Sequence, residues 1–179
     1  TESVEDLFAR YGESYRIFVM TAGIAASFTM VLSGTIVNVA VPSVMGAYGV
    51  GLDQAQLMTS AFNIAMVTSQ LLSAWVVSAM GQRVGFLLMV LVFVTGSLIA
   101  GIGQDFNMVV VGRLLQGVAA GVIQPLVMVV AFQVFPSERR GYAMALYSMG
   151  VFLAVAVGPI VGGFVIEVFN WRYIFWAPL

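Results

Sequence analysis

The stretch Gly150-Val-Phe-Leu-Ala-Val-Ala-Val-Gly-Pro-Ile-Val-Gly-Gly163 sets four glycines and a proline inside an apolar run that extends from Tyr142 to Val168. In water this would be a poor helix, because an interior glycine costs about 1 kcal/mol and a proline about 3 kcal/mol. In a bilayer no water is available to the backbone, so a lone span must be helical. Gly158 and Gly162 are four residues apart and share a face that another backbone can approach closely. Pro159 removes one donor and bends the helix. Two readings follow: a packing seam at Gly150, Gly158, Pro159, Gly162 and Gly163 against a moving partner, or a static small-residue contact between helices.

Composition points to the same medium. Of 179 residues, 61% are hydrophobic and 8% charged, against about 25% charged in an ordinary soluble domain. The sequence lacks the period-2 alternation of a membrane barrel, so the fold class is an all-α integral membrane protein. Without histidine or cysteine there is no thiol nucleophile, imidazole base or soft metal site. No nucleophile–base pair is evident, so an enzyme is not expected. The net charge of −1 gives no reason to expect nucleic acid.

Five segments reach the roughly 20 apolar residues that cross the hydrocarbon: 17–41, closed by Pro42; 55–77; 84–102; 108–134, closed by Pro136; and 142–168. A sixth apolar run, 173–179, ends with the chain and reads as an unfinished span. Residues 1–16 form a polar, acidic tail in which Leu7, Phe8, Tyr11 and Tyr15 fall at helical spacing, as in a short surface helix. No signal peptide is apparent. All positive charges are arginine. Arg10, Arg16, Arg83, Arg139 and Arg140 fall on one side of the spans and Arg172 on the other, which predicts a cytoplasmic N-terminus.

The spans differ in polarity. Span two carries Thr59, Asn63 and Gln70 on one face, and span four carries Arg113, Gln116, Gly117, Gly121 and Gln124 on another. Span one carries Ser27, Gly34 and Asn38 on one stripe and Thr29 and Ser33 on a second. Span three has only Thr95 and Ser97, and is expected to be peripheral and lipid-facing. Polar groups in hydrocarbon need partners, so these faces either satisfy one another in a dry bundle or line a wet cavity. An intramembrane arginine usually marks a functional pathway. Its alternative is structural, with bonds to backbone carbonyls and an outward snorkel.

Several stretches resemble, in order, the N-terminal six-helix half of the major facilitator superfamily, and more narrowly its fourteen-span multidrug proton-antiporter branch. Leu32-Ser-Gly-Thr-Ile-Val-Asn-Val-Ala-Val-Pro42 is similar to the branch's LDxTIVNVALP, with Ser33 in place of aspartate. Ala74-Trp-Val-Val-Ser-Ala-Met-Gly-Gln-Arg83 resembles the superfamily's GWLADRFGRR loop at Trp75, Gly81 and Arg83, but has Ser78 and Ala79 at the charged positions. Gly112-Arg-Leu-Leu-Gln-Gly-Val-Ala-Ala-Gly121 is similar to GRxxQGxGAA, and the glycine stretch of span five to G…GPxxGG. Pro136 to Ala143 and Trp171-Arg-Tyr-Ile-Phe175 resemble the segments that precede spans five and six.

The resemblance implies a transporter that exports drugs or other amphiphilic small molecules against protons by alternating access, in the plasma (inner) membrane and without a cofactor. Two six-span halves would rock about a midplane site, with membrane lipid around them and a C-terminal half as partner. Spans one and four would line the cavity, and two and five would face the other half. Arg113, Gln116, Ser33, Asn38, Asn63, Gln70 and Gln124 would form the substrate and proton pathway. Gly81 and Arg83 would latch the cytoplasmic side. A substrate-specific facilitator or symporter of the same fold is the alternative, as is a non-transporting truncated membrane protein. Because Ser33 cannot titrate, the coupling carboxylate would lie elsewhere, with Glu167 one candidate.

Overall fold

A computed structural model describes residues 14–179. The acidic tail, with its expected surface helix and with Arg10 and Arg16, lies outside the residues whose side chains are described. Helix α1 spans Ser14–Tyr48, α2 Leu52–Ala55, α3 Leu57–Gln70, α4 Ser73–Met80, α5 Gln82–Ile102, α6 Phe106–Val134 and α7 Arg140–Val168. Short 3-10 turns occupy Ser137–Arg139 and Trp171–Phe175. Among the described residues four helices are long and apolar enough to cross a membrane, and five spans result if the bent α2–α4 run counts as one. The protein is therefore a multi-pass membrane protein.

The expected boundaries need three corrections. Span one does not stop at Pro42: α1 continues to Tyr48 and ends at Gly49, whose φ of +64° suits a residue without Cβ. Proline cannot donate to the carbonyl four residues before it, so Asn38 loses that backbone partner. Both Asn38 and Pro42 are exposed, so the freed carbonyl lies on an open face.

Span two is not one straight helix. It bends by 57° between α3 and α4, with no proline or glycine at the break. Two serines flank the bend, and their hydroxyls donate back to the chain: Ser69 Oγ to the Met66 carbonyl (3.1 Å) and Ser73 Oγ to the Gln70 carbonyl (2.8 Å). Such back-bonding competes with the helical ladder and bends helices. The run 173–179, expected to open a sixth span, is 3-10 helical over Trp171–Phe175, and Ile174 and Phe175 are buried.

Helix α6 lies between α5 and α3 and also touches α1, while α7 packs mainly on α1. Glycines set these distances. A Cβ on Gly96 of α5 would sit 2.7 Å from the Gly112 carbonyl, and one on Gly112 would sit 2.6 Å from the Gly96 carbonyl. On the other flank of α6, a Cβ on Gly117 would strike the Phe62 carbonyl, and one on Gly121 the Met66 carbonyl. Backbone contact this close is the membrane substitute for hydrophobic association, since lipid tails are as apolar as the helices.

Two apolar clusters fill the bundle. One, toward the end where α1 begins, includes Met20, Phe62, Met89, Phe93, Ile123 and Tyr147. The other, toward Tyr48, includes Ile36, Val44, Met58, Val109, Ile174 and Phe175. At that second end Arg172 Nη2 donates to the Gly103 carbonyl (2.9 Å), Tyr48 Oη donates to the same carbonyl (2.8 Å), and the Arg172 guanidinium lies 4.8 Å from the Trp171 ring centre. The start of α6 is capped by Asp105, whose carboxylate accepts from the Met108 N–H at 3.0 Å.

Candidate functional site

Arg113 and Gln116 are three residues apart on α6, hence on one face. Both are fully buried, together with Ser33 of α1 and Ser97 of α5. Arg113 Nε donates to the Met58 carbonyl of α3 (3.2 Å). Its Nη1 is shared among the Ser33 carbonyl (3.1 Å), Ser33 Oγ (3.2 Å) and Gln116 Oε1 (2.8 Å). Gln116 Nε2 in turn donates to Ser97 Oγ (2.8 Å). One guanidinium thus ties α1, α3 and α6 directly, and α5 at one remove.

The carbonyl partners expected of a structural arginine are present, but the outward snorkel is not: the side chain points into the bundle with no exposed surface. Phe62 covers it, its ring centre 4.2 Å from Arg113 Cζ. Gly34 makes room for that ring, since a Cβ there would come within 3.0 Å of Phe62 Cε1. Among the described residues Arg113 makes no ion pair, and its Nη2 has no hydrogen-bond partner. A buried cation is costly in hydrocarbon; here oxygen dipoles and an aromatic face stand where a counter-charge would otherwise be.

The remaining predicted pathway residues do not join this network. Asn38 accepts from Thr59 Oγ1 at 3.3 Å and, with Val41, Pro42, Gln56, Thr59 and Ser60, lines an open groove of about 500 Å³ between α1 and the start of span two. Asn63 is exposed. Gln70 is half-buried at the bend, and Gln124 makes only a 3.8 Å contact to the Met66 sulfur. The polar stripes therefore form a dry knot around Arg113 and a separate open groove beside Asn38, rather than one shared face.

The five motif residues of span five divide between two sides of the helix. Gly158 and Gly162 are buried against α1: a Cβ on Gly158 would strike Thr35 Oγ1, and one on Gly162 would sit 2.9 Å from Ile36 Cγ1. Gly150 meets Ile24 of the same helix. This is close helix–helix contact within the bundle. Pro159 is exposed, and Gly163 has nothing within 4 Å of a notional Cβ. Only these two of the five motif residues look away from α1.

At the other end, Gly81 turns the chain between α4 and α5 with φ +78°, a conformation that favours glycine. Arg83 is exposed, and the neighbouring Gln82 Nε2 donates to Gln133 Oε1 of α6 at 2.7 Å.

Ser97, Phe62 and the Met58 carbonyl were not anticipated. Span three was expected to face lipid, and its Leu87, Leu91 and Thr95 are exposed, but Ser97 turns inward. The pair Gly96 and Ala100, four residues apart, was the available signal, because small residues at that spacing mark a close-contact face.

The pattern that defines the Major Facilitator Superfamily matches residues 23–179. The chain is 36% identical over 161 residues to the "Uncharacterized MFS-type transporter YhcA" of Bacillus subtilis (strain 168), covering 90% of this chain and 30% of that protein. It is 33% identical over 164 residues to the "Multidrug export protein EmrB" of Escherichia coli (strain K12), covering 91% and 32% respectively. To the "Fatty acid resistance protein FarB" of Neisseria gonorrhoeae it is 33% identical over 154 residues, covering 86% and 30%. The chain spans about a third of the length of the curated relatives it matches.

Proposed function

The chain belongs to the Major Facilitator Superfamily, and on that premise we propose that it forms the N-terminal half of a proton-coupled exporter of amphiphilic small molecules. In this reading residues 1–16 are a cytoplasmic tail and 17–179 the half-domain, set in the inner membrane with the arginine-rich loops inside. It works by alternating access against a C-terminal half. That two relatives are named for multidrug export and for fatty acid resistance supports amphiphilic substrates.

The observation that carries the reading is the buried Arg113, held by Ser33, Met58 and Gln116. A charge held at this cost in a membrane is a functional group by default. When the half tilts against the C-terminal half, the groups that the other half presents toward Arg113 change, and the field at Arg113 changes with them. An acid elsewhere in the protein then loads and releases its proton as that field changes. The groove beside Asn38 and Thr59 supplies the polar wall along which substrate passes, and Gly81 and Arg83 close the cytoplasmic side.

Ser33 favours one second reading. Because no carboxylate pairs with Arg113 among the described residues, an uncoupled facilitator of the same fold would need no other change here. Ethidium transport by the full-length protein in everted vesicles separates the two. Collapsing the pH gradient with nigericin stops a coupled exporter and spares a facilitator. Arg113→Ala is expected to cut transport at least about a hundredfold, the scale of a buried charge–dipole network worth roughly 3 kcal/mol; wild-type transport would remove Arg113 from the mechanism.

A further inference from the structure

We infer that Ser97, on the span with the fewest polar side chains, is a positioning residue for Arg113 and acts through Gln116. The inference rests on the proposed role of Arg113 in transport, but its geometry stands apart from that role. An amide side chain presents its oxygen on one edge and its donors on the other; Arg113, which has only donors, selects the oxygen, and Ser97 holds the opposite edge so that the amide stays against the guanidinium. Ser97 Oγ accepts from Gln116 Nε2 at 2.8 Å, which leaves Gln116 Oε1 facing Arg113 Nη1 at 2.8 Å. Turned over, the amide would set two donors against a guanidinium that has only donors.

The reach of so short a side chain depends on the contact beside it. Serine extends a single carbon from the backbone, and only the mutual approach of Gly96 and Gly112 brings α5 near enough to α6 for its hydroxyl to meet Gln116. The backbone N–H of Gln116 itself lies 3.0 Å from a notional Cβ on Gly96. Ser97, Gln116 and Arg113 are all fully buried, so water does not substitute for a lost partner. Without the Ser97 hydroxyl, Gln116 Nε2 is an unsatisfied buried donor, and the amide is held in place from the Arg113 edge alone.

Two readouts in the full-length protein test this. The first is the rate at which phenylglyoxal, a membrane-permeant reagent for guanidinium groups, modifies Arg113, followed by mass spectrometry of its peptide. The second is the pH profile of ethidium transport in everted vesicles. Ser97→Ala and Gln116→Ala are each expected to raise the modification rate about tenfold, the fold-change for a hydrogen bond of about 1.4 kcal/mol. The double variant should go no further than Gln116→Ala, because the two residues act in series. Both single variants should displace the pH profile in the same direction.

A Ser97→Ala protein with wild-type modification rate and profile, alongside a Gln116→Ala protein altered in both, overturns the inference. So does a double variant in which the two effects simply add. If instead Arg113→Ala transports normally, the proposed role of Arg113 fails. The modification rates still decide whether Ser97 holds it.

Discussion

Helix α6 carries Gly112, Gly117, Gly121 and Pro125; α7 carries Gly150, Gly158, Gly162, Gly163 and Pro159. Over their most apolar stretches, 56% of α6 is buried against 22% of α7. The glycines of α6 meet two neighbours, with Gly112 against α5 and Gly117 and Gly121 against α3, and each of them meets a backbone carbonyl oxygen. The buried glycines of α7 meet one neighbour, α1, and mostly its side chains. Similar residues in similar spans thus do different work. Those of α6 hold the bundle together around Arg113, while those of α7 attach one side of a helix whose other side, with Phe152, Ile160 and Phe164, stays open.

That contrast can be broken by experiment, the most damaging substitution first. Gly121→Leu drives a side chain into the Met66 carbonyl and Ser69 Oγ of α3. Neither backbone can retreat without opening the core, so the yield of monodisperse protein in size-exclusion chromatography is expected to fall to background. Normal yield would show that α3 and α6 are not in backbone contact. Gly158→Ala meets a side chain, Thr35, that can give way; the expected loss is about 1–3 kcal/mol, read from denaturant unfolding in detergent. Thr35→Ala in the same protein should recover part of it, and a failure to recover would place the strain elsewhere. Smallest of all, Gly163→Ala enters open space and should change stability by less than about 0.5 kcal/mol. A large loss there would mean that α7 is covered on the side left open here.

Much of this was legible in the sequence because a bilayer leaves a span few choices. Hydropathy found the four long apolar helices and the bent run between the first two, and the spacing of Arg113 and Gln116 placed them on one face. Ser33 lies beside them and accepts from Arg113. What hydropathy does not encode is rotation and neighbourhood. Asn63 sits in register with Thr59 yet has no part in the knot, because the face they share opens away from Arg113. The bend after Gln70 has no glycine or proline to announce it; its agents are two hydroxyls that choose their own chain over a distant partner. Pro42 misled in the opposite sense: a proline on an exposed helical face costs one bond and a slight tilt, not the helix. Ser97 was overlooked for a third reason. A residue's neighbours across a helix interface depend on how close two backbones come, and Gly96 with Gly112 decides that distance from outside the residue itself.

The clasp at Tyr48, Gly103 and Arg172 bears on how the protein is made. The two donors to the Gly103 carbonyl lie 55 residues before it and 69 residues after it. During synthesis the earlier tie can form while the later spans are still in the ribosome; the second waits for Arg172 to emerge. Its closure therefore comes only after α1 to α7 have all been made, and it ties the end of the first of them to the segment that follows the last.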